Sequence, residues 1–73
     1  MDAMKTGALI AQARKEKGLT QRELAEQVYV SVQAVSKWEL GKNFPDLPLM
    51  EPLAEALGLT VTELLAGQRG EEP

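Results

Sequence analysis

Seventy-three residues carry neither a cysteine nor a histidine, and this double absence narrows what the chain can build more than any motif does. No disulfide can staple it, and the usual thiolate and imidazole metal ligands are missing. A chain this short buries only roughly 60% of the surface that its unfolded form exposes. One domain is the most it can form, and its stability must come from well-patterned helices packed on a single core.

Five helices are expected. The first spans about Thr6 to Lys17, with Leu9, Ile10 and Ala13 on one side; Arg14, Lys15 and Lys17 suit its C-terminal dipole, and Gly18 follows. Thr20-Gln21-Arg22-Glu23 is a capping box that opens the second, where Leu24, Ala25 and Val28 recur at helical spacing. Ser31 caps a third that runs to about Leu40, with Gly41 as its stop. "GKNFPD" is loop by composition. Asp46 is the expected cap of a fourth helix ending near Leu57. Within it Pro52 lacks a donor and crowds the preceding turn, so a bend or a separate first turn is expected before it. Thr60-Val61-Thr62-Glu63 is a second capping box and starts a short fifth helix.

With no strand pattern, the fold class is an all-α five-helix bundle over residues 1–66, followed by a flexible C-terminal tail, 67–73. The expected core is Ile10, Ala13, Leu19, Leu24, Ala25, Val28, Val30, Val35, Trp38, Leu49, Leu53, Ala54, Leu57, Leu59, Leu64 and Leu65.

The net charge of −3 is unevenly spread. Residues 1–44 hold seven basic and five acidic side chains, whereas residues 45–73 hold one basic and six acidic. A folded chain can therefore turn a mildly basic face one way and an acidic pole the other, so overall acidity does not exclude a polyanionic partner. No apolar run approaches the roughly 20 residues that span a bilayer. "GALIAQA" has an A-x-A-like end, but its apolar core, Gly7 to Ala11, is shorter than the roughly 7–15 residues of a signal h-region. It reads as helix, and a cytoplasmic location is expected.

Residues 21–40 form a distinctive unit. Only Tyr29 and Val30 separate two helical segments, and so short a link forces a steep crossing, as in a helix-turn-helix. Leu24, Val28, Val30, Val35 and Trp38 hold the pair together, leaving Ser31, Val32, Gln33, Ser36 and Lys37 outside. Those are side chains with which a helix can read bases. Gln33 can pair bidentately with adenine, Lys37 can reach guanine or phosphate, and Val32 can meet a thymine methyl. Free N–H groups at Gln21 and Arg22 offer a phosphate seat at a helix N-terminus, and Lys42 and Asn43 can hold a further phosphate.

"GLTQRELA", then "VSVQAVSKWELGKNFPD", then "LAEALGLTVTELL" together resemble the lambda-repressor-like (Cro/C1, XRE-type) helix-turn-helix family over about residues 7–66. The resemblance implies a five-helix domain that binds double-stranded DNA, regulates transcription, typically as a repressor, and pairs as a homodimer. It assigns Gln21 to a phosphate anchor; Ser31, Val32, Gln33 and Lys37, with Ser36 nearby, to the recognition helix; and Lys42 and Asn43 to a backbone-gripping loop. It further implies a partly buried salt bridge between Arg14 and Glu39. Two positions depart from the family pattern: Tyr29 stands where glycine is frequent, and Val32 replaces a polar residue.

No nucleophile–base arrangement, phosphate loop or metal-ligand cluster appears, so neither an enzyme nor a cofactor is expected. The set Leu59, Val61, Leu64 and Leu65 can complete the core or pair with a second copy. A protein-interaction module of antitoxin type, with a partner still to be identified, remains open, as does the DNA-binding end of a longer regulator.

Overall fold

Short polar side chains set where most of the helices begin. A computed structural model describes residues 1–70, and among them it contains α1 (Ala3–Glu16), α2 (Gln21–Val28), α3 (Val32–Glu39), α4 (Met50–Leu57) and α5 (Val61–Ala66), with no strand. Both expected capping boxes form. The Thr20 and Thr60 hydroxyls accept from the N–H groups of Glu23 and Glu63, whose carboxylates accept from the threonine N–H groups in return. Ser31 Oγ accepts from the Ala34 N–H at 3.1 Å and starts α3.

α1 begins three residues earlier than expected. Asp2 accepts from the Met4 and Lys5 N–H groups, so the helix opens at Ala3 rather than Thr6. Thr6 is instead buried, and its hydroxyl donates to the Leu64 carbonyl of α5 at 2.6 Å. Asp46 is also corrected: it precedes a single 3₁₀ turn, Leu47–Leu49, without making a side-chain cap bond. That turn is the expected separate piece before Pro52. α4 then starts at Met50, which puts Pro52 in its first turn, where a missing N–H leaves no helical bond unmade.

Ile10, Leu24, Val35, Leu53 and Leu64 form the sealed centre of the core, joined by Leu9, Ala13, Ala25, Val28, Trp38, Ala54, Leu57 and Leu59. Met50 also joins, although it was not expected there. Leu19, Val30, Leu49 and Leu65 were expected inside but are half-buried around the rim. α1 packs across α3 and α5, and α2 lies between α3 and α4. Residues 67–70 turn back over α1 and α5: Arg69 pairs with Glu16, and the Gly70 N–H donates to the Glu63 carboxylate at 2.7 Å. The remaining residues of the expected tail, 71–73, lie outside the described residues.

The link between α2 and α3 reverses on Tyr29, whose φ of 61° and ψ of 45° are left-handed. There the N–H of Val30 reaches back to the Ala25 carbonyl at 3.0 Å, which satisfies the end of α2. A side chain bearing a Cβ occupies this conformation at a cost of roughly 1–2 kcal/mol.

One ionic cluster joins the first three helices. Arg14 Nε donates to one oxygen of the Glu39 carboxylate at 2.6 Å and Nη2 to the other at 2.9 Å. Arg14 Nη1 donates to the Leu19 carbonyl at 2.8 Å, and Gln21 Nε2 donates to Glu39 at 2.9 Å. The two charged side chains are only 11% and 8% exposed. Burial works to raise the Glu39 pKa, but the hydrogen bonds from Arg14 and Gln21 and the nearby positive charges outweigh it, so the carboxyl titrates below its ordinary 4.5. The bond to Glu39 holds the Arg14 guanidinium more firmly protonated in turn.

Two predictions follow from this packing. A Cβ on Gly7 would sit 2.0 Å from the Trp38 carbonyl oxygen, which is backbone and cannot swing away. Gly7→Ala is therefore expected to cost about 3 kcal/mol, read as a lower urea midpoint. Glu39 has a folded pKa below its ordinary value, so its contribution is complete above pH 4.5 and is lost as pH falls through the folded value. Glu39→Gln is expected to lower stability at neutral pH by about 3 kcal/mol, because Arg14 is left without its charge partner. Urea midpoints measured from pH 7 down to acid should then fall less steeply for the variant than for the parent.

Candidate nucleic-acid interface

On α3 the helical spacing puts Gln33 and Lys37 one turn apart, and both are exposed. Neither takes part in a side-chain hydrogen bond or ion pair among the described residues, so their donors and acceptors are free to meet a partner. Ser31 is exposed as well, but its oxygen is occupied by the cap, which leaves the hydroxyl proton to donate. Ser36 is half-buried. Val32 was expected outside; it is half-buried and packs on the core, so only part of its surface faces outward. The physical reason is the helical period: Val32 stands three residues before buried Val35, so the two share a face and Val32 falls at the edge of the core.

The N-terminus of α2 lies beside the C-terminal end of α3, where Gln21 meets Glu39, and so at the end of the unit away from the short turn. Within its first turn the capping box uses the N–H of Glu23, while the N–H groups of Gln21 and Arg22 have no acceptor among the described residues. They carry the positive end of the α2 dipole. The Gln21 side chain is half-buried, and its amide nitrogen is committed to Glu39. Arg22 is exposed.

After α3, Gly41 at φ 73° and the bond from the Lys42 N–H to the Lys37 carbonyl, 2.9 Å, fix the direction in which the chain leaves the helix. Lys42 and Asn43 follow, both exposed. A Cβ on Gly41 would meet Met4 Sδ at 2.7 Å and Met4 Cα at 3.0 Å, so this exit is seated against α1.

The set left open between completing the core and pairing with a second copy does not form one surface. Leu64 is 0% exposed and Leu59 8%, and both fill the core between α1, α4 and α5. Only Val61 and Leu65, half-buried, keep outward area. Short α5 must spend its largest apolar side chain on the interior, because Thr6 and Leu64 join it to α1 at that point.

Among the described residues the shifted ionisable groups are Arg14 and Glu39, which form the internal pair, and Glu63, lowered by the hydrogen bonds it accepts from the Thr60 and Gly70 backbone N–H groups. Among the described residues no three potential metal ligands gather, and no helix is long and apolar enough to cross a membrane. The link from Gln21 to Glu39 was missed from sequence. Its signal was available, because Gln21 directly follows the Thr20 cap and so stands at the helix start nearest to Arg14 and Leu19.

A family model described as helix-turn-helix matches residues 10–64. The chain is 44% identical over 59 residues to the HTH-type transcriptional activator BcrR of Enterococcus faecalis, covering 81% of this chain and 29% of that protein. It thus spans less than a third of BcrR's length. Among solved structures, the clp gene regulator ClgR from Corynebacterium glutamicum superposes with a TM-score of 0.79 at 34% identity, covering 89% of this chain and 69% of that one. The biofilm master regulator SinR, solved in complex with DNA, superposes with a TM-score of 0.75 at 34% identity, covering 82% of this chain and 97% of that one. With these likenesses and an α2–turn–α3 unit fixed by Tyr29 and the Arg14–Glu39 pair, the chain belongs to the lambda-repressor-like helix-turn-helix family.

Proposed function

We propose that the chain is a sequence-specific binder of double-stranded DNA that regulates transcription, with α3 entering the major groove. The observation that carries this reading is the exposed Gln33–Lys37 pair on α3, in a unit whose α2 N-terminus, tied to the end of α3 by Gln21 and Glu39, offers the N–H groups of Gln21 and Arg22. Gln33 reads a base edge, and Lys37 takes a base or a phosphate. Ser31 and Ser36 flank them, and the exposed part of Val32 supplies an apolar contact. Gln21, Arg22, Lys42 and Asn43 seat the module on phosphates and carry no sequence information. SinR, whose solved structure includes DNA, supports a DNA partner by its likeness to this chain.

Two copies on half-sites roughly 34 Å apart would read a palindrome. Val61 and Leu65 are the residues of the expected pairing set that a second copy could still touch. The role is that of a binding module in the cytoplasm rather than an enzyme. The fraction of BcrR that it spans favours a second form of the same reading, in which the module is the DNA-binding part of a longer regulator.

Fluorescence anisotropy of the protein with random-sequence duplex, at low and high salt, tests the class. Binding should weaken steeply with salt as phosphate contacts release counterions. Salt-insensitive binding, or none, would instead favour a protein-partner role. After selection of a preferred site, Gln33→Ala should relax preference at one base pair by about 1–3 kcal/mol. Lys42→Ala should weaken all duplexes alike and reduce the salt slope by about 1.

A further inference from the structure

Tyr29, the one non-glycine residue with a positive φ among the described residues, lies two positions before the Ser31 cap of the recognition helix. Elsewhere among the described residues, the chain turns left-handed only on glycine: Gly18, Gly41, Gly58 and Gly67. At Tyr29 it does so on a large aromatic side chain. The fold gains nothing in return. Tyr29 is 94% exposed, belongs to no part of the core, and its hydroxyl enters no side-chain hydrogen bond. A glycine would make the same turn without strain and without loss of packing. A strained position whose side chain has no internal partner is a place to look for an external one.

Its location identifies that partner. Only Val30 separates Tyr29 from the Ser31 cap, a Cα–Cα span of at most about 7 Å. The major groove is about 12 Å wide. With the N-terminus of α3 in the groove, Tyr29 stands outside the helix that reads bases and beside the groove wall, where the phosphates run. A phenol there offers one O–H donor and a flat apolar ring, and tyrosine is among the side chains that meet phosphate oxygens.

We propose that Tyr29 is a phosphate-positioning residue: its Oη donates to a phosphate oxygen on the strand flanking the N-terminus of α3, and its ring lies over the adjoining sugar. This rests on the DNA-binding reading above. The contact differs in kind from that of Lys42. A neutral donor displaces no counterion, so it adds affinity on every sequence without adding to the salt slope.

Tyr29→Phe removes only the hydroxyl and keeps both ring and turn; Tyr29→Gly removes the strain together with the contact. Anisotropy titrations across a salt series, on the selected duplex and on a random one, should show Tyr29→Phe weaker by about three- to tenfold on both. Its log–log salt plot should run parallel to that of the parent chain. Tyr29→Gly should bind at least as weakly as Tyr29→Phe, yet unfold at higher urea. Parent-level affinity for Tyr29→Phe would overturn the assignment, as would a loss confined to one sequence or a flattened salt slope. If the parent chain bound no duplex at all, the DNA-binding reading itself would fall, which is distinguishable from a parent that binds and a Tyr29→Phe that binds equally well.

Discussion

The Glu39 carboxylate is the point on which the functional half of the molecule is hung. It sits at the C-terminal end of α3 and receives Arg14 from α1 and Gln21 from the first turn of α2. Arg14 in turn holds the Leu19 carbonyl in the α1–α2 connection. A hydrophobic core holds helices together but tolerates small slides, because its contacts are non-directional. A bidentate, nearly buried ion pair with a third donor does not. It fixes the angle at which α2 meets α3, and with it the direction of the free N–H groups at Gln21 and Arg22 relative to the outward face of α3. Placing two charges at 11% and 8% exposure is costly in desolvation and adds little net stability. Its return is geometric: a recognition surface assembled from two helices needs both at a set angle.

The other end of the same unit is held differently. Between α2 and α3 the chain has only Tyr29, Val30 and the Ser31 cap, and the reversal is made on a single left-handed residue, Tyr29. α2 and α3 are thus pinned at one end by ionic hydrogen bonds and at the other by backbone geometry, with Leu24, Val28, Val35 and Trp38 filling the space between. Gly7 completes this arrangement from α1. Its missing side chain lets α1 approach the Trp38 carbonyl, and that approach brings Arg14 within reach of Glu39.

What could be read from the sequence, and what could not, divides along the range of the interactions. The capping boxes at Thr20 and Thr60, the Ser31 cap and the glycine stops are set by residues within four positions of one another, and each stands where local chemistry puts it. The exposure of Gln33 and Lys37 is legible for the same reason: they are polar positions in a helical period whose apolar positions are plain. The errors arise where distant segments meet. Thr6 read as a helix start, but a carbonyl 58 residues away claims its hydroxyl. Leu59 and Leu64 were left open as a pairing surface, and only the packing of α5 on α1 decides that they are interior. Asp2 is the exception, a local cap that was legible in principle and was passed over.

Charge placement explains how a chain of net −3 can present itself to a polyanion. The bulk of the negative charge falls in the C-terminal part, beyond residue 44, and the exposed acids Glu51 and Glu55 stand on α4. The basic residues of the first part are not equally available. Arg14 is consumed by Glu39, and Lys17 lies along the C-terminus of α4, where its Nζ would be 3.1 Å from a Cβ on Gly58. Lys5 and Lys15 are exposed on α1, which leaves Arg22, Lys37 and Lys42 as the exposed cations of α2, α3 and the loop after it. Three cations make a weak electrostatic footprint, since each neutralised phosphate contributes only its own share of released counterions. On the proposed reading, affinity must then be gathered from uncharged contacts, such as the α2 N–H groups, or from joining two modules so that the second binds at high effective concentration. A weakly basic module of this kind discriminates better than a strongly basic one, because little of its binding energy is shared with DNA of every sequence.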